Sequence, residues 1–341
     1  MTATSTWKSE DWSNESSAFN FSLKRRGFQP IISGNQPRVG AGGDRPQPHL
    51  FNRKMCNNQL ISQLTLTTPN LQLSMAPTVL ITGASQGSGK ATALLFARKG
   101  YDVVMVAREP ERLAAAAAQV QREGTSAVAV AGDVGDIQQV RAIVQKALDA
   151  CGNIDVLVNN AGICLAGAIE QTTSEDWQQL MNTNFWGCVN TIQELLPHFL
   201  ARKTGTIVNV GSIGGKMPLP QMTAYCASKY AVTGLTETLR LELAPRGIHV
   251  SAVHPGLINS DFLERAQFRD RDEPAVELRR QQMSEMLKSP GASQPEDVAK
   301  AIWDAVNNKR AEVTVGPAFL ASEAYRLFPG LMQWAMEKGK L

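Results

Sequence analysis

A chain of 341 residues that is 43% hydrophobic can fill the core of one large domain or two small ones. Its formal charge of +3 is too near zero to favour a nucleic-acid partner, and no apolar stretch is long enough to span a bilayer. The cysteines Cys56, Cys151, Cys164, Cys188 and Cys226 show no C-x-x-C spacing and the histidines no metal-ligand spacing, so a reducing compartment and no metal are expected.

Residues 1–74 are rich in Asn, Gln, Ser, Thr, Gly and Pro, carry eight basic against four acidic residues, and hold neither helical nor strand periodicity. Such a segment cannot bury enough apolar surface to order itself, so a disordered N-terminal extension is expected. No apolar run follows Lys8, so no secretory signal is expected in this segment. Two readings remain. One is a basic, Ser-rich organelle transit peptide. The other, which is preferred, is a start placed upstream of Met75-Ala76-Pro77, with a cytoplasmic protein beginning there.

From Thr78 strand and helix patterns alternate. Strands are expected near 78–82, 103–107, 127–131, 155–159, 206–210, 248–253 and 312–315, and helices near 87–99, 109–123, 136–151, 174–201, 223–244, 262–287 and 295–308. This is the pattern of a doubly wound, seven-stranded parallel sheet in a single domain, residues 75–316, with helices on both faces. No internal repeat is found. The tail, 317–341, is amphipathic, with Phe319, Tyr325, Leu327, Phe328, Leu331, Met332 and Trp334. It closes a pocket, packs between copies or touches a membrane surface; the first two are favoured.

The chemistry begins at Thr82-Gly83-Ala84-Ser85-Gln86-Gly87-Ser88-Gly89, between the first strand and the first helix. Glycines there let backbone approach a pyrophosphate, and the helix N-terminus offers free N–H groups and a positive dipole end. The same loop fits a G-x-S-x-G nucleophile elbow with His254 as a nominal partner, but it follows the first strand rather than a mid-sheet one. It fails as a phosphate-binding P-loop twice, at Ala84 and Ala91. Ser212 stands just past the apolar run Thr206–Val210, at the carboxyl edge where open α/β sheets gather ligands. Tyr225 and Lys229 then fall four apart on one helix face. An ammonium beside a phenol favours the phenolate, so the pair is expected to act as a general acid/base on an alcohol oxygen.

Taken in order, these motifs resemble those of the short-chain dehydrogenase/reductase family over roughly residues 77 to 316. The family's T-G-x-x-x-G-x-G loop is matched by 82–89, its N-N-A-G element by Asn159-Asn160-Ala161-Gly162, its helix asparagine by Asn184, and its serine and Y-x-x-x-K by Ser212, Tyr225 and Lys229. Its P-G turn is matched by Pro255-Gly256, with Ser260 in the place of the usual Thr. The resemblance implies the strand order 3-2-1-4-5-6-7. It also implies a nicotinamide cofactor held by Gly83, Ser85, Gln86, Gly87, Ser88, Gly89, Asn160, Ala161, Gly162, Tyr225, Lys229, Pro255, Gly256 and Ser260, with Asp133 and Val134 on the adenine side. The catalytic set it implies is Asn184, Ser212, Tyr225 and Lys229, with Asn184 holding a water between Lys229 and solvent.

The second strand ends Val106-Ala107-Arg108-Glu109, with no acid for a ribose 2′-OH and an Arg for a 2′-phosphate, which selects NADP. Glu109 is read as the start of the next helix, and Asp133 also as part of a helix cap. Ser88 stands where the family carries Ile or Leu, predicting lost packing and weaker cofactor affinity, and Gly211 replaces a frequent Ser. The lid, about 257–294, interleaves Arg265, Arg269, Arg271, Arg279 and Arg280 with Glu264, Asp270, Asp272 and Glu273, which is read as a solvated face. Met217 to Pro220 supply an apolar wall. The expected activity is an NADP(H)-dependent interconversion of a secondary alcohol and a ketone or aldehyde on a fairly apolar small-molecule substrate, in a homo-oligomer. The alternatives are a 3-oxoacyl thioester (acyl carrier protein) reductase, for which the lid arginines would be a basic rim, and a non-catalytic cofactor-sensing scaffold.

Overall fold

The central strands, Thr78–Thr82, Asp102–Ala107 and Val156–Asn159, are mostly apolar and buried because both faces of the sheet are covered there. The computed structural model describes residues 76–260, 266–289 and 291–338. Within them lie the strands β1 (Thr78–Thr82), β2 (Asp102–Ala107), β3 (Ala127–Ala131), β4 (Val156–Asn159), β5 (Leu165–Gly167), β6 (Gly205–Val210), β7 (Ile248–Pro255), β8 (Gln267–Arg269) and β9 (Glu312–Val315). The helices are α1 (Gly87–Arg98), α2 (Pro110–Gln121), α3 (Ile137–Cys151), α4 (Ser174–Leu180), α5 (Gly187–Arg202), α6 (Thr223–Leu243), α7 (Glu273–Leu287), α8 (Pro295–Asn307), α9 (Ala318–Leu327) and α10 (Pro329–Glu337).

Seven strands pair in the order β3-β2-β1-β4-β6-β7-β9, every pair parallel. Counting these strands alone, this is the order 3-2-1-4-5-6-7. Side chains alternate between two cores as the pleat dictates. Val79, Ile81, Val103, Met105, Val156 and Val158 face α1, α2 and α8, meeting Phe96, Leu113, Val120 and Ile302. Leu80, Val104, Val106, Leu157 and Ile207 face the other way, toward α3 and α5, meeting Val140, Ile143, Leu195 and Phe199. The order reverses between β1 and β4, so the ends of those strands and of β6 frame the crevice that open α/β sheets use for ligands.

Two regions depart from the expected elements. The helix expected over 174–201 is α4 and α5 joined by a π-helical turn, Met181–Trp186, that contains Asn184. Of the helix expected over 262–287, residues 262–265 lie outside the described residues, 266–272 are not helical, and α7 begins at Glu273, where Asp272 caps it, its carboxylate accepting from the Ala275 N–H at 2.9 Å, and Pro274 fixes its first turn. Before it, β8 pairs with β5 in a small parallel ribbon, three residues a side, too short to show a period in sequence. The expected disordered extension 1–74, Cys56, and Glu264 and Arg265 of the lid lie outside the described residues. The tail forms α9 and α10, with Leu320, Leu327, Phe328 and Leu331 well exposed. Among the described residues no helix is long and apolar enough to cross a membrane, and no cluster of His, Cys, Asp or Glu could hold a metal.

Candidate active site

The turn between β1 and α1 is built from glycine conformations. Gly83 and Gly87 have φ of 67° and 52°, a region L side chains rarely adopt. At Gly89 a Cβ would fall 2.2 Å from the Gly83 carbonyl oxygen, so nothing larger fits where helix and turn cross. The loop is tied to the end of β4 through Thr82, whose hydroxyl oxygen accepts from the Asn160 and Ala161 N–H groups, both at 3.0 Å. The Asn160 amide donates back to the Thr82 carbonyl at 3.0 Å. Ser88 completes the tie by donating to Asn160 Oδ1 at 2.8 Å. Its hydroxyl is thus spent inside the protein, so the expected loss of packing is offset by a hydrogen bond.

Gly83, Ser85, Gln86, Arg108, Asp133, Val134, Ala161 and Gly162 line one cleft over the carboxyl ends of β1, β2 and β4. Val106, Ala107 and Glu109, of the strand end read for cofactor choice, line it too, as do Gly132, Ile163 and Thr183, which sequence motifs did not single out. Arg108 is exposed at its rim, and Glu109 is the N-cap of α2. Asp133 does not cap α3; Asp136 does, accepting from the Gln138 and Gln139 N–H groups. Asp133 instead closes its own turn, accepting from the Gly135 N–H at 2.9 Å. Arg112 pairs with Glu109 at 3.3 Å and donates to Gln86 Oε1, linking α2 to the glycine loop. Gly87, Ser88, Gly89 and Asn160 do not line this cleft; they form the start of α1 and its tie to the end of β4. Ser260 approaches the glycine loop, 3.9 Å from where a Gly87 Cβ would stand, while Pro255 ends β7 beside Val315 and Gly256 follows it.

Whether these residues suit a dinucleotide is testable on the geometry. The N-terminus of α1 follows directly on Ser85 and Gln86 of the cleft and has no side-chain cap, so no side chain competes with an anion for its first N–H groups. Gln86 Nε2 is buried there without a hydrogen-bond partner. Val106, Ala107 and Val134 offer an apolar wall for a base, and Arg108 a cation at the rim. The donor set fits a nicotinamide dinucleotide.

Beside that cleft stand Asn184, Ser212, Tyr225 and Lys229, each less than a tenth exposed. Ser212 is held by the turn Ile213–Gly215, its hydroxyl oxygen accepting from the Gly214 N–H at 3.1 Å. Tyr225 lies in the first turn of α6 among Ile163, Cys164, Leu165 and Leu180, and the Ser212 side chain opposes part of the effect of burial on its phenol. Lys229, one turn on, donates to the Val210 carbonyl at 3.0 Å. Asn184 spends its amide on structure: Oδ1 accepts from the Ile163 N–H at 2.8 Å, and Nδ2 donates to the Ile163 carbonyl at 3.0 Å and to Ser228 Oγ at 2.9 Å. Ser228 in turn donates to the Tyr225 carbonyl at 2.7 Å. Ser228 is a contributor that motif reading missed, although it sits beside Lys229, and Thr82, which opens the loop motif, has no role of its own in that reading.

The electrostatics correct one expectation. Lys229 Nζ is 6.0 Å from the centre of the Tyr225 ring. Burial dominates and raises the phenol above its ordinary value, Cys164 adds to this, and the Ser212 side chain opposes it only in part. Burial also lowers the Lys229 ammonium. The protein therefore presents Tyr225 as a neutral phenol, the form that can donate a proton.

A family model described as short chain dehydrogenase matches residues 77–270. The chain is 36% identical over 193 residues to 3-oxoacyl-[acyl-carrier-protein] reductase FabG of Staphylococcus aureus, covering 56% of this chain and 78% of that one. It is 39% identical over 186 residues to 3-ketodihydrosphingosine reductase of Bacteroides thetaiotaomicron, covering 54% and 65%. Among solved structures it is similar to a short chain dehydrogenase/reductase from Burkholderia phymatum in complex with NAD, with TM-score 0.68, 27% identity, and 74% and 95% of the chains covered. It is likewise similar to a short-chain dehydrogenase from Sphingobium yanoikuyae in complex with NADPH, with TM-score 0.61, 31% identity, and 76% and 95% covered.

Proposed function

The chain belongs to the short-chain dehydrogenase family of oxidoreductases, and on that premise we propose that it is an NADP(H)-dependent enzyme interconverting a secondary alcohol and a ketone or aldehyde on a fairly apolar substrate. The observation that carries this reading is the Ser212–Tyr225 hydroxyl pair, buried beside Lys229 at the carboxyl edge of the sheet and next to a cleft suited to a dinucleotide.

A bound nicotinamide supplies or accepts the hydride. The protein's part is positioning and proton transfer. Ser212 hydrogen-bonds the substrate oxygen and fixes it against Tyr225, a contact that strengthens as charge develops on that oxygen. Tyr225, kept neutral by burial, donates its phenolic proton to the oxygen in reduction; in oxidation it must first pass that proton out by the Lys229 side, and the phenolate then takes the alcohol proton. Lys229 and Asn184 frame the route for the replacement proton: a Cβ on Gly162 would lie 3.5 Å from Lys229 Nζ and 3.3 Å from Asn184 Oδ1. Asn184 also holds the backbone of Ile163, which packs on Tyr225. Arg108, at the end of β2 where an NAD enzyme carries an acid, supports NADP as the cofactor; solved relatives hold NAD in one case and NADPH in another.

Apolar substrates are supported by the wall around Tyr225, namely Ile163, Cys164 and Leu165, with Met222 packed against it. The relative named 3-ketodihydrosphingosine reductase supports a ketone substrate. The second reading, a 3-oxoacyl thioester reductase, is favoured by the name of the Staphylococcus aureus relative. The lid argues against a free basic rim for an acyl carrier: Arg269 pairs with Asp176 at 2.7 Å, Arg271 with Asp272 at 3.3 Å and Arg280 with Glu277 at 3.5 Å. A panel of long-chain ketones, aldehydes and 3-oxoacyl thioesters assayed with NADPH and NADH tests both. Turnover of ketones well above thioesters is expected; thioester preference reverses the order, and no turnover of any carbonyl ends both.

A further inference from the structure

Behind Ser212 lies a cluster that the reaction just described does not use. His254, the penultimate residue of β7, is fully buried. Its Nδ1 lies 3.3 Å from the Ser212 carbonyl oxygen. A carbonyl only accepts, so Nδ1 carries the proton in this contact. Its Nε2 is buried without a hydrogen-bond partner, 3.9 Å from Glu312 Oε1 on β9. The same Glu312 oxygen pairs with Lys216 Nζ at 2.9 Å, and Lys216 ends the short turn that Ser212 begins. The turn is thus gripped at both ends from the two strands beside it.

The sequence has made room for this ring. A Cβ on Gly211 would lie 2.6 Å from His254 Nδ1 and 2.9 Å from its Cε1. The imidazole fills the space a side chain at 211 would take, which gives the glycine at that position its physical reason. The Ser212 carbonyl also accepts from the Gly215 N–H at 2.9 Å, so two donors fix the peptide from which the hydroxyl projects.

We propose that His254 is a positioning residue: through the Ser212 carbonyl, and with the Glu312–Lys216 pair bracing the far end of the turn, it sets the Ser212 hydroxyl against the substrate oxygen. This rests on the role given to Ser212 above. His254 touches no reacting atom, and its effect is confined to the placement of one that does.

The test compares His254→Leu, which keeps bulk but no donor, with His254→Asn, which keeps a donor near the Nδ1 position. His254→Leu is expected to lower kcat roughly three- to tenfold, the loss of one neutral hydrogen bond, with the dissociation constant for NADPH unchanged, and His254→Asn to restore most of it. Equal losses in the two variants, or a wild-type kcat in His254→Leu, overturns the proposal. A second arm stands if His254→Leu does not fold. Gly211→Ser pushes a side chain into the ring and should lower kcat, whereas Gly211→Ser with His254→Ala should fall no further than His254→Ala alone; multiplying losses overturn the contact. Nitrogen NMR of labelled histidine in the full chain gives a readout independent of turnover. An Nδ1-protonated neutral His254 is expected, and an Nε2-protonated one overturns the proposal. Ser212→Ala, assayed in parallel, separates the two ideas: if it keeps wild-type turnover while His254 shows the Nδ1 tautomer, the function assigned to Ser212 has failed and with it the catalytic purpose of the clamp, although the contact stands.

Discussion

At the scale of single residues, the site depends on which group wins when burial and charge oppose each other. Tyr225 is enclosed by apolar side chains, and burial outweighs the opposing Ser212 side chain, so the phenol stays protonated. Replacing it with Phe removes the transferable proton and little else. Tyr225→Phe is expected to cut kcat below about a hundredth of wild type, on the scale of general acid catalysis, while NADPH still binds by fluorescence titration. Retention of more activity would assign the proton to another group. Arg108 poses the opposite case, an exposed cation whose value depends on meeting a phosphate. Arg108→Asp is expected to weaken NADPH use by roughly 1.5–3 kcal/mol in kcat/KM, and to lower or invert the NADPH to NADH ratio, since the new carboxylate suits a ribose 2′-OH. An unchanged ratio leaves Arg108 a solvated loop residue.

At the scale of elements, the cofactor cleft is the meeting of one turn with one strand end. Thr82, Ser88 and Asn160 lash the glycine loop to β4, so the helix N-terminus is aimed by hydrogen bonds rather than by the loop alone. Gly89→Ala places a methyl group 2.2 Å from the Gly83 carbonyl oxygen and 2.6 Å from Asn160 Nδ2, so turn and tie must both shift. NADPH affinity is expected to fall at least tenfold, and Tm with it, because overpacking of this kind costs about 1–3 kcal/mol. Calorimetry with and without NADPH checks both. The π turn between α4 and α5 works similarly: Asn184 is drawn inward by Ile163 and Ser228, and the helix carries the irregularity.

At the scale of the whole molecule, both cores among the described residues are built from residues between Val79 and Val315. Because the sequence of residues 1–74 offers no periodic apolar face, a chain beginning at Met75 is expected to keep the Tm and activity of the full chain, and a clear drop on truncation would show that residues 1–74 contribute to folding. Acid stability follows from His254. Burial, acting first, pushes its imidazole down to about 4, with Lys216 and Lys229 opposing its charge and Glu312 favouring it. The unfolded chain binds that proton near 6.5. The neutral buried ring thus stabilises the fold fully above about pH 6.5, and that contribution is lost as pH falls toward 4. Wild-type Tm should fall more steeply than that of His254→Asn across this window; parallel curves would place the acid sensitivity elsewhere.

Much of this was legible in the sequence because it is local. Strand and helix alternation follows from apolar runs and turn residues a few positions apart, and the glycine loop, the Ser212 position and the Tyr225–Lys229 spacing are each contained in one turn or one helix face. What only the tertiary structure decided lies between positions distant in the chain. Ser88 meets Asn160 across 72 residues and turns an apparent packing loss into a tie. His254 meets Ser212 across 42 residues and explains Gly211. The β5–β8 ribbon exists only because the fold brings two short segments side by side. The state of Tyr225 was misjudged from spacing alone because spacing places Lys229 on the same face but says nothing of how deeply both are buried, and in a low-dielectric interior desolvation outweighs a charge held 6.0 Å from the ring.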